Sequence, residues 1–360
     1  MADNSNASDA AALTFRPMER TEEDLRLFHQ AFTANESPKS FELLRWQYFE
    51  PPAGKLFVDF AVTTGNDPRL AAIYAVFPVA MRVEGNRGLG VQSLNTLTDR
   101  EFRGKGLFIR LAKSIYERSA QDGVAVVYGF PNGRSVHGFY TKLQWVPLDP
   151  MPMMVRPLRL GWVIGRLTRG KIKLPRWIDP PIPRMRPRLG DNMQWRTLTL
   201  EQHGEAIEAV WQRFAATISY AVERDKQYLQ WRLRRPGASY EIMGLFRDST
   251  LLGYSITAMS GNAGKIMDLL FDPAEADTGR LLLSEAMDRL KRAGCGAVVA
   301  WNYDHSPNHR AFRSAGFVTV PQKMIPDELY SGARSLTTPP SAAVADRKSW
   351  YVSMLDSDTD

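Results

Sequence analysis

The hydrophobic and polar positions of this chain repeat one order of elements twice. Each half opens on a short apolar-arginine start, Phe15-Arg16-Pro17 in the first and Trp195-Arg196-Thr197 in the second. A helical stretch follows, then a tryptophan-containing segment that runs into proline, then strand-like runs rich in Val, Ile, Tyr and Phe. Trp46 and Trp231 occupy matching places. The pattern predicts a duplicated unit.

Each half continues with an extended apolar stretch, a polar turn and an amphipathic helix. The first copy is SLNTLTDREFRGKGLF from Ser93, and the second is KIMDLLFDPAEADTGRLL from Lys265. Apolar residues then recur at helical core spacing, and each helix is followed by a short buried strand and a proline-asparagine turn. Strands that alternate with helices in this way predict an α/β (α+β) fold. We expect two tandem domains, each a mixed, mostly antiparallel central sheet flanked by helices.

The same pattern divides the chain into six parts. They are a disordered N-terminus (1–13), a first domain (14–150), a proline-rich basic linker (151–190), a second domain (191–330), a flexible low-complexity segment (331–349), and a C-terminal strand and tail (350–360). Prolines restrict any linker helix to Leu158–Leu174. In the last part we expect Trp350 to Leu355 to form the strand.

Charge is concentrated in the linker. The 360-residue chain is 44% hydrophobic and 24% charged, which is typical of a globular protein, and its net charge is +7. Residues 151–190 hold ten Lys/Arg and one acid, Asp179, so they carry +9 and the remainder carries 7 − 9 = −2. Nucleic acid is therefore an improbable partner. Residues 158–174 are basic and amphipathic and could contact an anionic membrane weakly, but a connector packed along both domains is the favoured interpretation.

Other signals are few. The single cysteine, Cys295, excludes an internal disulfide framework, and no stretch resembles a secretory signal or a membrane span of roughly 20 apolar residues. These features predict a cytoplasmic protein. His305 and His309 have helical ligand spacing, but Pro307 between them breaks the helix that would present both to one metal. We expect no metal site.

The glycine-rich turn Arg103-Gly104-Lys105-Gly106-Leu107 is the strongest chemical signal. Gly104 and Gly106 let the backbone turn so that successive N–H groups point at one anion, and the helix that begins near Leu107 adds its N-terminal dipole. Arg103 and Lys105 add full positive charge. A pyrophosphate would fit such a turn.

The stretch LNTLTDREFRGKGLFIRLAKSIYE resembles the acyl-coenzyme A motif of the GNAT superfamily of acetyltransferases, and the whole chain resembles its tandem-domain members. The resemblance implies that acetyl-CoA, or another acyl-CoA, is the co-substrate and that the turn grips its pyrophosphate. It implies that Leu97 and Thr98 offer backbone groups to the thioester and the pantetheine arm. Tyr140 holds the place of the family's general acid, although Gln144-Trp145 replaces the usual Gly-Phe that follows it.

The base that deprotonates the acceptor is less clear from the sequence. An amine with a pKa near ~10.4 is almost wholly protonated at neutral pH, so leaving deprotonation to chance costs about 4 kcal/mol. The central strand offers no carboxylate before Asp99. A water chain ordered by Asn95 is the preferred base, and Glu101 and His137 are weaker candidates. Asn132 is a candidate coenzyme contact, although its proline-asparagine turn more simply predicts a turn-shaping role.

The second copy has lost this chemistry. When Gly106 is aligned with Gly279, the turn becomes Ala276-Asp277-Thr278-Gly279 and Tyr140 becomes Phe312. An aspartate near a phosphate is repelled, and phenylalanine cannot donate a proton. Asp268 occupies the place of Asn95. We expect the second copy to support the first and to lend groups to the acceptor site at the domain interface.

These observations predict an acyl-CoA dependent N-acyltransferase, most simply an N-acetyltransferase, that acts by direct attack of a small-molecule or peptide amine. Two alternatives stay open. One is an aminoacyl transferase of the tandem-GNAT peptidoglycan-bridge type, which the intact glycine turn disfavours because a tRNA donor needs no pyrophosphate grip. The other is a non-catalytic acyl-CoA sensor or membrane-associated scaffold.

Overall fold

A computed structural model describes residues 12–148, 150–172, 174–175, 177–184, 186–275, 277–325 and 330–357. The strands are β1 (Leu13–Pro17), β2 (Phe57–Thr63), β3 (Leu70–Val83), β4 (Asn86–Thr98), β5 (Val124–Gly129), β6 (Val146–Pro147), β7 (Met153–Pro157), β8 (Met193–Thr197), β9 (Ala221–Val222), β10 (Tyr240–Arg247), β11 (Thr250–Ser260), β12 (Ala263–Phe271), β13 (Ala297–Trp301), β14 (Val318–Thr319) and β15 (Gly332–Ser335). The helices are α1 (Glu22–Ala34), α2 (Phe41–Tyr48), α3 (Leu107–Gln121), α4 (Leu160–Leu167), α5 (Leu200–Phe214), α6 (Lys226–Arg232), α7 (Thr278–Arg292) and α8 (His309–Ser314). None of these helices is both long and apolar enough to cross a membrane.

The strands form two mixed, mostly antiparallel sheets flanked by helices, as predicted. The first has the order β1-β2-β3-β4-β5-β15-β6, with β9 paired to β3, and the second has the order β14-β7-β13-β12-β11-β10-β8. Each contains one parallel pair between consecutive strands, β4 with β5 and β12 with β13. A helix crosses over between the two strands of each pair, α3 in the first sheet and α7 in the second. The two copies therefore share one topology.

Both faces of the first sheet are covered, which explains its continuous burial. Every residue of β2 is buried, although its sequence FVDFAVT includes an aspartate. Phe60 packs with α1 on one face and Phe57 packs with α3 on the other. Asp59 points into the α3 side, where Arg118 lies 2.7 Å away and the Ser114 hydroxyl donates a 2.7 Å hydrogen bond. The buried carboxylate is thus paired, as a low-dielectric site requires.

Besides the short β9 on the first sheet, each sheet contains one strand from the other half of the chain. β15 lies between β5 and β6, where Gly332 pairs with both Gly129 and Pro147. In the second sheet β7 lies between β13 and β14, where Val155 pairs with both Val299 and Val318. The two copies exchange their equivalent strands reciprocally, so neither sheet is complete without the other half.

A pair of tryptophans marks the pseudo-twofold relation between the copies. Trp46 and Trp231 stack with ring centroids 4.6 Å apart and an interplanar angle of 10°. Each indole Nε1 donates a 2.9 Å hydrogen bond to the main-chain carbonyl of the other tryptophan. The matching places of these residues in the sequence are matching places in space, at the centre of a core shared by both domains.

Three expectations about the segments outside the domains differ from the structure. The 151–190 linker is not only a connector, because its residues 153–157 form β7. The 331–349 segment, expected to be flexible, contributes β15 and the buried Val344. Trp350 to Leu355 does not form the expected strand. Trp350 makes a single bridge to Tyr220, and a 3₁₀ turn follows at Met354–Asp356. These residues are held by side-chain contacts in the domain interface, which local strand patterning cannot reveal.

Candidate active site

The central strands of the first sheet separate at one end. The parallel pairing of β4 with β5 runs to Ser93 and Gly129, while β4 continues beside β3 to Thr98, opposite Ala72. Between these points the register of β4 shifts by one residue, and Asn95 takes a left-handed φ of 51°. Asparagine tolerates this conformation better than most residues. The bulge and the end of the β4–β5 pairing open a cleft between the two strands.

Asn95 is held by helix α2. Its Nδ2 donates to Gln47 Oε1 at 2.7 Å and to the Tyr48 hydroxyl at 3.0 Å. Both partners are buried. The side-chain amide protons of Asn95 are therefore committed to α2, and the carbonyl oxygen is the atom left to order a water.

A cavity of about 260 Å³ lies at the opening of β4 and β5. All of its lining comes from the first domain, which places the candidate chemistry in one copy. The lining residues are Phe32, Ser37, Lys39, Ser93, Leu94, Asn95, Thr96, Gly129, Phe130, Pro131, Asn132, Ser135, Phe139 and Trp145. The second-domain contribution to the acceptor site that we expected is not part of this lining.

The glycine turn follows β4 directly and stays open to solvent. Gly104 and Gly106 have φ angles of 78° and 73°, and a Cβ on either would meet no atom within 4 Å. Glycine is present because of the backbone conformation and not because of crowding. Gly106 caps α3 without a side-chain hydrogen bond, so the first N–H groups of the helix, from Leu107 onward, lack a side-chain acceptor at the cap.

The basic side chains of this turn are also exposed. Arg103 Nε lies 3.4 Å from the carbonyl of Thr98, and Lys105 Nζ lies 4.8 Å from the centroid of the Phe102 ring. Neither cation has a carboxylate partner among the described residues. With the helix dipole behind them, they make an anion site that fits a pyrophosphate.

Tyr140 lies beside the cleft but outside the cavity lining. Gly138–Lys142 is a single π-helical turn, so Trp145 N reaches back to the carbonyl of Phe139. In the second copy the equivalent bond spans one residue fewer, from Phe317 N to Phe312 O. Phe312 thus corresponds to Phe139, and the pairing of Phe312 with Tyr140 expected from the sequence is wrong by one residue. The Tyr140 hydroxyl donates a 3.0 Å hydrogen bond to the carbonyl of Ser331, next to the exchanged β15.

The other sequence candidates either have structural partners or lie outside the cavity lining. Asn132 lines the cavity, but its Oδ1 accepts hydrogen bonds from the backbone N–H groups of Arg134 and Ser135, at 3.0 and 3.1 Å, as a turn-shaping residue does. Glu101 forms an exposed ion pair with Arg69. His137 is exposed and, like Glu101, lies outside the cavity lining.

A buried hydroxyl network behind the cavity escaped the sequence analysis. The Ser93 hydroxyl, at the cavity wall, donates to the Tyr74 hydroxyl at 3.0 Å, which lies 2.6 Å from the Tyr116 hydroxyl. Trp145 Nε1 donates to Tyr116 at 2.9 Å. Burial raises the pKa of Tyr74 and of Tyr116, so both phenols stay protonated at neutral pH. Tyr74 lies on β3 and Tyr116 on α3, where each fits the pattern of apolar core positions. Residue pattern alone therefore does not distinguish them as polar groups near a site.

The corresponding cleft of the second copy is filled by its own side chains. Asp268, in the place of Asn95, is fully buried and pairs with Arg224 at 2.7 Å. Tyr351 donates a 2.5 Å hydrogen bond to Asp268, and Asn308 Nδ2 donates a 2.8 Å bond to the carbonyl of Leu269. The end of β12 that would face a ligand is thus satisfied by the protein itself.

The helix start of the second copy differs as well. α7 begins at Thr278, immediately after Asp277, so Asp277 takes the structural place of Gly106. Gly279 lies inside the helix, where a Cβ would come within 2.4 Å of the Phe271 ring and 2.7 Å of Ala311. The glycine that seemed to match the turn is a packing residue. Ala276 lies outside the described residues.

A larger cavity of about 500 Å³ lies elsewhere in the second domain, between the ends of β10 and β11 and helix α7. It lies at the C-terminal end of α7, away from the start of that helix. Among the described residues, no group of three or more His, Cys, Asp or Glu side chains could hold a metal ion. Burial raises the pKa of the Cys295 thiol, which keeps it protonated and unreactive.

The first sheet combines separated central strands with a glycine turn before the crossover helix, and the second sheet repeats its topology without that turn among the described residues. Residues 15–148 match the family model described as "Acetyltransferase (GNAT) domain". The match covers the first domain, and the chain as a whole has a GNAT-like tandem fold. No curated protein matches the sequence.

Solved structures of similar fold span both domains. A GCN5-related N-acetyltransferase from Anabaena variabilis is 10% identical, with a TM-score of 0.62 over 91% of this chain and 74% of that one. An Enterococcus faecalis protein described as "Probable N-Acyltransferase" is 13% identical, with a TM-score of 0.61 over 91% and 73%. Saccharomyces cerevisiae N-myristoyltransferase with bound myristoyl-CoA is 12% identical, with a TM-score of 0.58 over 91% and 84%. At these identities the likeness concerns the fold.

Proposed function

We propose that the chain is an acyl-CoA dependent N-acyltransferase, most simply an N-acetyltransferase, with its site in the first domain. The observation that carries the proposal is the combination, in one copy only, of the strand opening at Ser93 and Gly129 with the solvent-open turn at Gly104 and Gly106. The second copy has neither an open cleft nor a free turn.

The arrangement assigns roles along β4. Arg103, Lys105 and the backbone of Gly104 to Leu107 would hold the pyrophosphate of acyl-CoA. Leu97 and Thr98, on the edge of β4 beyond its pairing with β5, would offer backbone groups to the pantetheine arm and the thioester. The reacting carbonyl would then lie at the cavity beside Asn95.

The reaction is a direct transfer. The amine nitrogen attacks the thioester carbonyl carbon, the carbon–sulfur bond breaks, and the sulfur leaves as a thiolate that takes a proton. The proton lost by the amine passes to a water, which Asn95 would order through its carbonyl oxygen. Cys295 takes no part because it is buried in the second copy.

Two groups could protonate the departing thiolate. Tyr140 is the donor that the motif position suggests, but its hydroxyl would have to leave the carbonyl of Ser331. Ser93 lines the cavity and is backed by the protonated Tyr74. A thiolate of pKa ~8.5 can take a proton from a phenol of pKa ~10, such as Tyr140, at a cost of only about 2 kcal/mol. Ser93 already lines the cavity, but its route costs more because burial raises the pKa of Tyr74.

Coenzyme binding tests the proposal. Isothermal titration with CoA and with acyl-CoA thioesters from acetyl to myristoyl should show binding, and the double variant R103E/K105E should weaken it by about 100-fold, because each charged hydrogen bond contributes about 1.5–3 kcal/mol. The control R26E/K113E reverses two exposed cations on α1 and α3, outside the turn. It should bind normally.

The acceptor and the acyl length follow from turnover. A thiol-release assay of the thioester panel against amine libraries should identify both. Absence of binding by every thioester would overturn the proposal. Tight binding without any turnover would favour an acyl-CoA sensor, and turnover only with charged tRNA would favour the aminoacyl transferase. The cytoplasmic location stays a prediction.

A further inference from the structure

The linker between the domains carries most of the strongly exposed apolar surface. Ten large apolar side chains are well exposed among the described residues, and six of them lie between positions 160 and 189. Trp177 is 86% exposed and Leu167 is 75% exposed, the two highest values of the set. Folded proteins rarely leave such a cluster without a partner. The remaining members are Leu160, Ile172, Ile178 and Leu189.

This surface is built on a defined scaffold, which we call the linker lobe (described residues of 158–182). The main-chain N–H groups of Leu158 and Arg159 donate to the carbonyl of Gly296 at 2.8 and 3.1 Å, which fixes the lobe to the second domain. The chain runs out along α4 and returns beside it, where Ile182 N bonds to Leu158 O at 2.9 Å. No residue of α4 is buried. The lobe therefore lies on the surface of the second domain.

The charge of the lobe is positive and largely unneutralised. Asp179 is the only acid in residues 151–190, and its carboxylate accepts a 2.6 Å hydrogen bond from the N–H of Gly161. Arg169 and Lys171 are exposed and have no ion pair among the described residues. Arg166 lies 5.5 Å over the Trp162 ring. Cations thus stand directly beside the exposed Leu167 and Ile172.

A groove of about 380 Å³ lies between α4 and the second domain. Arg159, Trp162 and Arg166 line it, together with Asp179. Its size and the two arginines suit a phosphate-bearing headgroup. The groove and the exposed apolar side chains belong to the same lobe.

We propose that the linker lobe docks the protein on an anionic membrane surface. Cations attract the anionic headgroups, and Trp177, Leu167 and Ile172 enter the boundary between headgroups and acyl chains, where tryptophan is favoured. Nucleic acid would satisfy the cations but leave the aliphatic side chains in water. This proposal goes beyond the acyl-transfer proposal and is independent of it.

Vesicle flotation with the full-length protein tests the docking. The wild type should float with vesicles of phosphatidylcholine containing 30% phosphatidylglycerol, stay in solution with pure phosphatidylcholine, and be released as salt is raised. R169E/K171E should lower the bound fraction at least tenfold, because each cation near the surface contributes to binding independently. R26E/K113E, with the same change in net charge, should bind like the wild type.

A second pair of variants tests the apolar part. Trp177→Ser should weaken vesicle binding about fivefold or more, since it removes the most exposed apolar side chain of the lobe. Met324→Ser, at a position that is 64% exposed and outside the lobe, should have no effect. Thermal melts check that every variant is folded. The proposal is overturned if the wild type does not float with anionic vesicles, or if a lobe variant binds vesicles like its matched control. Binding of single-stranded RNA in place of vesicles, with an affinity that Trp177→Ser leaves unchanged, would identify the lobe as a nucleic-acid site instead.

Discussion

The proton donor for the leaving thiolate can be assigned by two single-atom deletions. Ser93→Ala removes a hydroxyl at the cavity wall, and we expect kcat to fall about 100-fold, the lower end of general acid catalysis. Tyr140→Phe removes a hydroxyl bonded to Ser331, and we expect less than a tenfold change in kcat with a loss of about 1 kcal/mol of stability. Steady-state kinetics and urea unfolding measure both.

The control for this comparison is Tyr220→Phe, which removes a hydroxyl that donates to Ser341. Neither of these residues lines the cavity. It should leave kcat unchanged. If Tyr140→Phe proves the more damaging catalytic change, the motif position identifies the donor and the Ser93 route is rejected.

At the residue scale, the sequence predicted equivalent positions correctly wherever the two copies have the same number of residues between equivalent elements. Trp46 and Trp231 meet across the pseudo-twofold axis, and Asp268 follows its strand opening as Asn95 does. The pairing of Tyr140 with Phe312 failed because the first copy contains one additional residue in a π-helical turn. Such a turn differs from an ordinary helix only in its hydrogen bonds, which residue types do not reveal.

His309 makes stability depend on pH. Burial lowers its pKa below the ordinary value, while the charges of Asp304, Arg313 and His305 act as smaller influences, and Nδ1 lies 2.8 Å from Asn302 Oδ1. The unfolded chain therefore takes up a proton at higher pH than the folded chain does. The resulting stability is fully present above about pH 6.5 and is lost as pH falls through the folded pKa.

Urea unfolding of the wild type and of His309→Gln between pH 7.5 and 5 measures this effect. The wild type should lose stability over that interval more steeply than the variant. The control is His137→Gln, at an exposed position outside this contact. Parallel curves for the wild type and His309→Gln would contradict the assignment.

At the scale of elements, two glycines that align in sequence have opposite roles, and alanine substitution separates them. Gly279→Ala places a Cβ within 2.4 Å of the Phe271 ring, so we expect a loss of about 1–3 kcal/mol of stability and unchanged coenzyme affinity. Gly106→Ala meets no atom but strains a φ of 73°, which costs about 1 kcal/mol and displaces the turn from its anion-binding form.

Thermal melts and isothermal titration with CoA distinguish the two variants. The expected pattern is weak coenzyme binding for Gly106→Ala alone and the larger stability loss for Gly279→Ala. Equal loss of coenzyme affinity in both would mean that the second copy takes part in binding after all.

Periodicity predicted the helices and strands of both copies, and the glycine turn predicted the start of α3. It could not predict which sheet a strand joins. β7 and β15 are short, and the partners of β15 lie 185–209 positions away along the chain. Pairing over such separations is decided by the finished domain interface and not by local pattern.

Across the whole molecule, the end of the chain closes the second cleft and joins the two domains. Arg224 is fully buried and pairs at 2.7 Å with Asp268 and at 2.8 Å with Asp356 near the C-terminus. The Tyr351 hydroxyl completes the cluster through Asp268. A buried cation between two carboxylates loses its hydration and is stabilised only if all partners stay in place. The cluster therefore fixes residues 351–356 in the second cleft, which explains why that copy has no open site.

The reciprocal strand exchange makes the two domains one folding unit. Separation of the domains would remove β15 from the first sheet and β7 from the second, exposing the fully buried Ala333 and Met154. We therefore expect a single calorimetric transition with a van't Hoff enthalpy close to the calorimetric enthalpy, although chains of two domains commonly unfold in steps.

Gly332→Val tests this coupling from one end of the exchange. A Cβ at Gly332 would lie 2.9 Å from the Tyr140 ring and 3.1 Å from the carbonyl of Val146, so the variant weakens the position of β15 in the first sheet. The single transition should move to lower temperature as a whole, because the second domain cannot keep β7 in place once the first sheet opens. Gly65→Val, in an exposed loop where a Cβ meets no atom, strains only a local φ of 134° and should shift the transition less. Two resolved transitions, with only one of them moved by Gly332→Val, would show that the domains unfold independently despite the exchanged strands.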